Sequence, residues 1–156
     1  MSSEKALQHL EKFGLADRVK FFEVSSATVE LAAKALGCEP AHIAKSLTFM
    51  ANDKPIMIVT AGDVKIDNAK YKARFGTKAK MLTAEQVSEL IGHEVGGVCP
   101  FGINGGVDVY LDTSLKRFER VFPACGSGNS AVDLSVDELE KCSECLEWVD
   151  VGKPMV

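Results

Sequence analysis

Two stretches of the chain combine residue types that could do chemistry. Lys45 stands in Ala44-Lys45-Ser46-Leu47-Thr48-Phe49, where an apolar β-type run begins after a helical turn. A lysine at a strand mouth can meet a phosphate as a compact cation. An edge lysine that snorkels to solvent has the same local pattern. About fifty residues further on lies Gly96-Gly97-Val98-Cys99-Pro100-Phe101-Gly102. Its glycines permit backbone conformations closed to other residues and let a ligand approach the main chain. Pro100 stiffens the loop. Successive N–H groups of such a loop can point at a carbonyl oxygen or a phosphate. A structural turn ahead of a strand has the same composition. His93, beside this loop, reads as a surface-loop histidine, and His9 and His42 are scattered.

Several other chemistries fail on their spacing. Gly97 and Gly102 are spaced as in a P-loop, but Ile103-Asn104 stands where Lys-Ser/Thr is needed. Ser127, in Cys125-Gly126-Ser127-Gly128, lacks the first glycine of a nucleophile elbow. Cys142 and Cys145 form a lone C-x-x-C near a helix end. Cys38, Cys99 and Cys125 are far apart in sequence, so four zinc ligands are not evident and no metal or cofactor is expected. A redox pair usually precedes a helix, whose N-terminus acidifies the thiol.

The elements that must hold the two stretches follow from periodicity and punctuation. Helices are expected over 4–13, closed by Gly14; over Val29 to Leu36, capped by Thr28 and closed by Gly37; and over 67–75 before Gly76. Thr83-Ala84-Glu85-Gln86 and Ser135-Val136-Asp137-Glu138 are capping boxes that open helices ending near Gly92 and Cys142. Pro40 opens a short helical turn. Strands are expected over 19–24, 46–50, 56–60, 107–111, 121–124, 131–134 and 146–151, with Asn52-Asp53 as a hairpin turn. Many strands follow one another through short loops. The expectation is therefore α+β, with a mixed, largely antiparallel sheet, curled or barrel-like, and flanking helices.

Composition bounds the rest. The chain has 156 residues, 46% hydrophobic and 26% charged, which predicts one domain over 1–156 that needs no disulfide or metal staple. No apolar run reaches the ~18 residues of a membrane span. The N-terminus lacks an apolar signal core, and five irregularly spaced cysteines fit a reducing compartment, so a cytoplasmic location is expected. The net charge of −4 argues against a general polyanion binder. Charge is uneven, however. Residues 65–80 carry Lys65, Lys70, Lys72, Arg74, Lys78 and Lys80 against Asp67, and residues 133–150 carry seven acids against Lys141. Such a basic patch suits a polyanion engaged at one place; a solvated helix face reads the same way.

Taken together, the motifs resemble the YbaK-like aminoacyl-tRNA deacylases, relatives of the editing domain inserted in bacterial prolyl-tRNA synthetase. The matching pieces are Thr28-Val29-Glu30-Leu31-Ala32, Ile43-Ala44-Lys45-Ser46-Leu47, Val59-Thr60-Ala61-Gly62-Asp63, Gly96-x-x-x-Pro100-Phe101-Gly102, Val109-Tyr110-Leu111-Asp112 and the glycine-rich turn before Ser135. They occur in the family's order and cover nearly the whole chain. The resemblance implies a freestanding, trans-editing hydrolase that cleaves the ester of tRNA mischarged with a small amino acid, on tRNA-Pro or a related tRNA. Lys45 would hold the phosphate or ribose of the terminal adenosine. Gly96, Gly97, Val98, Cys99 and Pro100 would present main-chain groups to the aminoacyl carbonyl and position water. Phe22, Thr28, Val29, Phe101, Gly102, Ser127, Gly128 and Asn129 would shape the substrate pocket. Some relatives carry a histidine near the last turn; this chain has none there, so no histidine role is carried over. The implied partners are the aminoacyl-tRNA acceptor end and an aminoacyl-tRNA synthetase, with no membrane. A non-catalytic tRNA- or nucleotide-binding module of the same fold is the alternative.

Overall fold

A computed structural model describes residues 2–155. Five α-helices, α1 (Ser2–Glu11), α2 (Val29–Leu36), α3 (Asn68–Phe75), α4 (Ala84–Gln86) and α5 (Val136–Cys142), pack around three sheets. The largest sheet has six strands in the order β8 (Leu134–Ser135), β6 (Arg120–Pro123), β2 (Ile43–Ala51), β3 (Lys54–Ala61), β5 (Asp108–Asp112) and β9 (Glu147–Val149). Two antiparallel pairs lie beside it: β1 (Val19–Phe21) with β7 (Ser130–Val132), and β4 (Val64–Ile66) with β10 (Gly152–Pro154). The fold is α+β with a curled mixed sheet, as the sequence predicts.

Local chemistry explains where elements start and stop. The Thr28 hydroxyl accepts the Leu31 N–H at 3.2 Å, and Gly37 closes α2 at φ +70°. Asp67 caps α3, and both predicted capping boxes form. Beyond Gln86 the helix widens into a π turn over Val87–Ile91, ended by Gly92 at φ +93°. The β2–β3 hairpin turns through Asn52 and Asp53 at φ +51° and +65°, the left-handed pair a tight hairpin requires.

Three differences from the sequence reading have physical causes. Strand β1 ends at Phe21: Phe22 N–H still donates to the Asn129 carbonyl at 2.8 Å, but the bond returned to the Phe22 carbonyl comes from the Asn129 side chain and not from its main chain. The run expected as one strand over 131–134 splits between two sheets, β7 pairing with β1 and β8 with β6. In the large sheet, β2–β6, β3–β5 and β5–β9 are parallel, and only β2–β3 and β6–β8 are antiparallel. Short loops join β2 to β3, but helices and long turns separate the other partners.

The sheet divides the core. On one face Met57, Val59, Val109 and Leu111 pack with Ala6 and Leu10 of α1 and Leu139 of α5. On the other, Ile56, Ile58 and Tyr110 meet Tyr71 of α3. This alternation is what a strand buried on both faces imposes.

Candidate functional site

The site begins where β2 loses a neighbour. Strand β6 pairs with β2 only at Ile43 and Ala44. Further along, Leu82 N–H donates to the Thr48 carbonyl at 3.1 Å, and Met50 N–H to the Lys80 carbonyl at 2.9 Å. Main-chain polar groups alternate sides along an antiparallel strand. Ser46 therefore turns its N–H and C=O to the same side as Thr48 and Met50, into the gap between β6 and residues 80–82. Its hydroxyl is also buried and has no hydrogen-bond partner among the described residues.

A cavity of about 320 Å³ opens at this gap. Lys45 and Ser46 form one wall, Thr28, Val29 and Ala32 another, and Gly96 and Val98 a third. Ile43, Leu82, Val87 and Phe122 supply apolar surface, while Met81 and Val95 stand exposed at the rim.

Lys45 is half-buried, and its Nζ lies 3.9 Å from the Met155 Sδ. It forms no ion pair with a carboxylate among the described residues. Burial pushes the ammonium below its ordinary range, and the more distant Asp63 and Glu30 pull it back up. An unpaired, partly desolvated cation is well placed to take an anion.

Three separated segments make the loop wall rigid. Gly96 adopts φ +96°, and Gly97 N–H donates to the Glu94 carbonyl at 3.0 Å. Gly97 also lies against the next turn. A Cβ there would sit 2.3 Å from the Ser127 nitrogen, and Gly126 N–H donates to the Gly97 carbonyl at 2.9 Å. The Gly128 carbonyl accepts Ser26 N–H at 2.7 Å, and Gly128 N–H reaches the Glu94 carboxylate at 3.3 Å. The N–H groups of Gly96 and Val98 have no protein acceptor among the described residues.

The structure thus brings Thr28, Val29, Lys45, Gly96 and Val98 to one cavity. It puts the other expected site residues elsewhere. Cys99 and Phe101 are fully buried in the core behind the loop. Burial drives the Cys99 thiol far up, so it stays protonated. Pro100 and Gly102 face a separate cavity of about 630 Å³ beside α1. Ser127, Gly128 and Asn129 form a turn held by its own hydrogen bonds, Ser127 Oγ to Asn129 Oδ1 at 2.9 Å and to Ser130 Oγ at 2.7 Å. Asn129 Nδ2 donates to the Phe22 carbonyl at 3.1 Å, tying that turn to the segment after β1.

His93 corrects the surface-loop reading. It is 1% exposed, and its Nε2–H donates to the Phe101 carbonyl at 2.6 Å, which closes the base of the loop. Burial holds its pKa below the ordinary value. The cysteines also differ from their scatter in sequence: Cys99, Cys125 and Cys142 share one core cluster. Desolvation raises the Cys125 and Cys142 thiols to about 12. No cluster of three or more His, Cys, Asp or Glu residues suited to a metal occurs among the described residues. Ser46 is the contributor that sequence reasoning missed. Its neighbour Lys45 was the available signal, but only the strand order reveals the open edge. Met81 and Phe122 carry no local signal at all.

Comparisons with known proteins identify the family. Residues 23–142 match the model of the aminoacyl-tRNA editing domain. The chain is 51% identical over 154 residues to the uncharacterised protein YwhH of Bacillus subtilis (strain 168), covering 98% of each. It is 31% identical over 119 residues to the proline–tRNA ligase of Bacillus pumilus (strain SAFR-032), covering 71% of this chain but only 21% of the ligase. Among solved structures, a protein proposed as a trans-editing enzyme for prolyl-tRNA synthetase superposes with a TM-score of 0.88 at 28% identity, covering 97% of both chains. The cavity walls from Thr28 to Ala131 lie within the matched residues, and the chain belongs to the aminoacyl-tRNA editing domain family.

Proposed function

We propose that the protein is a freestanding aminoacyl-tRNA deacylase, one domain over residues 1–156, that removes a small amino acid from mischarged tRNA-Pro or a related tRNA in the cytoplasm. One observation carries this reading: a lysine without a carboxylate partner and two loop residues, Gly96 and Val98, whose N–H groups have no acceptor among the described residues line the same small cavity. Lys45 holds the phosphate or ribose of the terminal adenosine. The Gly96 and Val98 N–H groups receive the ester carbonyl oxygen as it gains charge. The remaining volume, walled by Thr28, Val29 and apolar side chains, takes a small aminoacyl group.

The reaction needs no protein nucleophile. Water adds to the ester carbonyl carbon, the bond from that carbon to the ribose oxygen breaks, and the proton from water ends on the ribose hydroxyl, helped by a neighbouring hydroxyl of the substrate. Aminoacyl esters are already activated. Holding water and ester together and stabilising the oxyanion supplies much of the acceleration. The aliphatic and small side chains in the cavity keep bulk water away from the reacting centre. The exposed lysines of residues 65–80 meet the acceptor stem, and a synthetase is the partner that supplies the mischarged tRNA.

A panel of tRNAs carrying Ala, Ser, Thr, Cys or Pro tests the reading by ester loss over time. The parent is expected to release one or more of the small amino acids. Lys45→Ala is expected to lower kcat/KM by about a hundredfold or more with an unchanged fold. Parental turnover by Lys45→Ala removes the role assigned to Lys45. Salt-sensitive tRNA binding with no turnover of any ester identifies a binding module instead.

A further inference from the structure

Lys45 has no carboxylate partner among the described residues although Asp63 lies within electrostatic range, and the surroundings of Asp63 explain why. Asp63 follows β3 in the turn into β4. The turn is fixed by Gly62, where a Cβ would sit 2.1 Å from the Pro40 carbonyl oxygen. Met155 links Asp63 to Lys45: its N–H donates to the Asp63 carbonyl at 3.1 Å, and its thioether sulfur touches the Lys45 ammonium.

The Asp63 side chain turns to Arg117 instead. Arg117 Nη1 and Nη2 each donate to a carboxylate oxygen, at 3.1 and 2.5 Å. Such a two-pronged pair fixes geometry in a way a lysine cannot. Arg117 is itself held in place. Its Nε donates to the Ser114 carbonyl at 2.9 Å, and its guanidinium lies 4.7 Å from the centre of the Phe118 ring. The Ser114 hydroxyl in turn accepts Ala61 N–H at 3.1 Å, which anchors the whole turn to the end of β3. Glu30, the other carboxylate within electrostatic range, is exposed at the start of α2 and has no ion pair among the described residues.

We propose that Arg117 is a positioning residue: by clamping both oxygens of Asp63 it prevents that carboxylate from capturing Lys45 and leaves the ammonium open to an anionic group of the substrate. The inference rests on the deacylase reading, since it explains how Lys45 stays available. Without the guanidinium, Asp63 turns towards the next cation, and substrate must then displace an internal ion pair. Removing the carboxylate as well abolishes the competition.

Four proteins test this: the parent, Lys45→Met, Arg117→Met and the double variant Arg117→Met/Asp63→Asn. Thermal unfolding checks their folds. Arg117→Gln replaces Arg117→Met where the latter fails to fold. Deacylation of the best substrate and NMR titration of the Lys45 side chain are both recorded. In Arg117→Met, kcat/KM is expected to fall about fivefold, mostly through KM, as competition with a half-exposed pair dictates. The Lys45 titration is expected to move upward, since a freed carboxylate favours the charged ammonium. The double variant is expected to recover kcat/KM to within about twofold of the parent and to return the titration to its starting point. A general structural role for Arg117 predicts no such recovery. Parental constants in Arg117→Met, an unmoved titration, or a double variant as impaired as the single overturns the proposal. A parent without turnover refutes the deacylase reading, and the titration alone then decides the role of Arg117.

Discussion

Ser46 holds a buried hydroxyl without a hydrogen-bond partner among the described residues, beside a main-chain N–H and C=O on an open strand edge. Leaving such a group unmade costs stability, whereas its removal can be neutral or favourable. Ser46→Ala is therefore expected to raise the unfolding free energy by up to about 1 kcal/mol and to lower deacylation. Chemical denaturation and ester-release assays on one preparation read both effects; a less stable Ser46→Ala with intact turnover contradicts this view. Lys45 drew notice only in combination with the Gly96–Pro100 loop, because an edge lysine that snorkels to solvent has the same local pattern. Ser46 drew none, because a serine in a β-type run carries no mark of which edge it faces. His93 misled for a related reason. A histidine among glycines looks exposed until the loop folds over it and supplies the Phe101 carbonyl as its partner.

At the scale of elements, punctuation was the reliable signal. Thr28, Asp67, Thr83 and Ser135 each cap a helix, and Asn52-Asp53 turns the hairpin. Pairing between distant strands was not readable, since β3 to β5 and β5 to β9 are set by packing across the sheet and not by local pattern. The loop and the late turn show the same limit. The glycines of 96–102 and 125–128 are visible in the sequence, but their mutual contact is not. Gly97 has no room for a side chain because Ser127 and Gly126 main-chain atoms occupy the space. Main chain cannot move aside as a flexible side chain can. Gly97→Ala is expected to cost about 1–3 kcal/mol of stability and to reduce kcat more than KM, because it displaces the wall proposed to face the ester. Equal loss in both constants points instead to general loosening.

Across the whole molecule, the two oppositely charged segments partly neutralise each other. Lys70 pairs with Asp150 at 3.1 Å and donates to the Gly152 carbonyl at 2.9 Å, and Arg74 pairs with Glu147. Lys65, Lys72, Lys78 and Lys80 remain exposed and without ion pairs among the described residues. Replacing Lys72, Lys78 and Lys80 with Gln is expected to weaken tRNA binding uniformly and to flatten its dependence on salt, by ~0.7–0.9 in log–log slope for each phosphate no longer neutralised. Replacing Lys70 and Arg74 is expected to lower the thermal midpoint and leave the salt slope largely unaltered. Binding titrations at several salt concentrations separate the two sets. The wall of the cavity has a further consequence for synthesis. Its hydrogen bonds join Ser25 and Ser26 to Gly128 and Ser130, and Phe22 to Asn129, over separations of 103 to 107 residues. Contacts that distant close late. A growing chain on the ribosome therefore has no complete pocket until most of its length has emerged, and a product truncated before Gly128 lacks this wall.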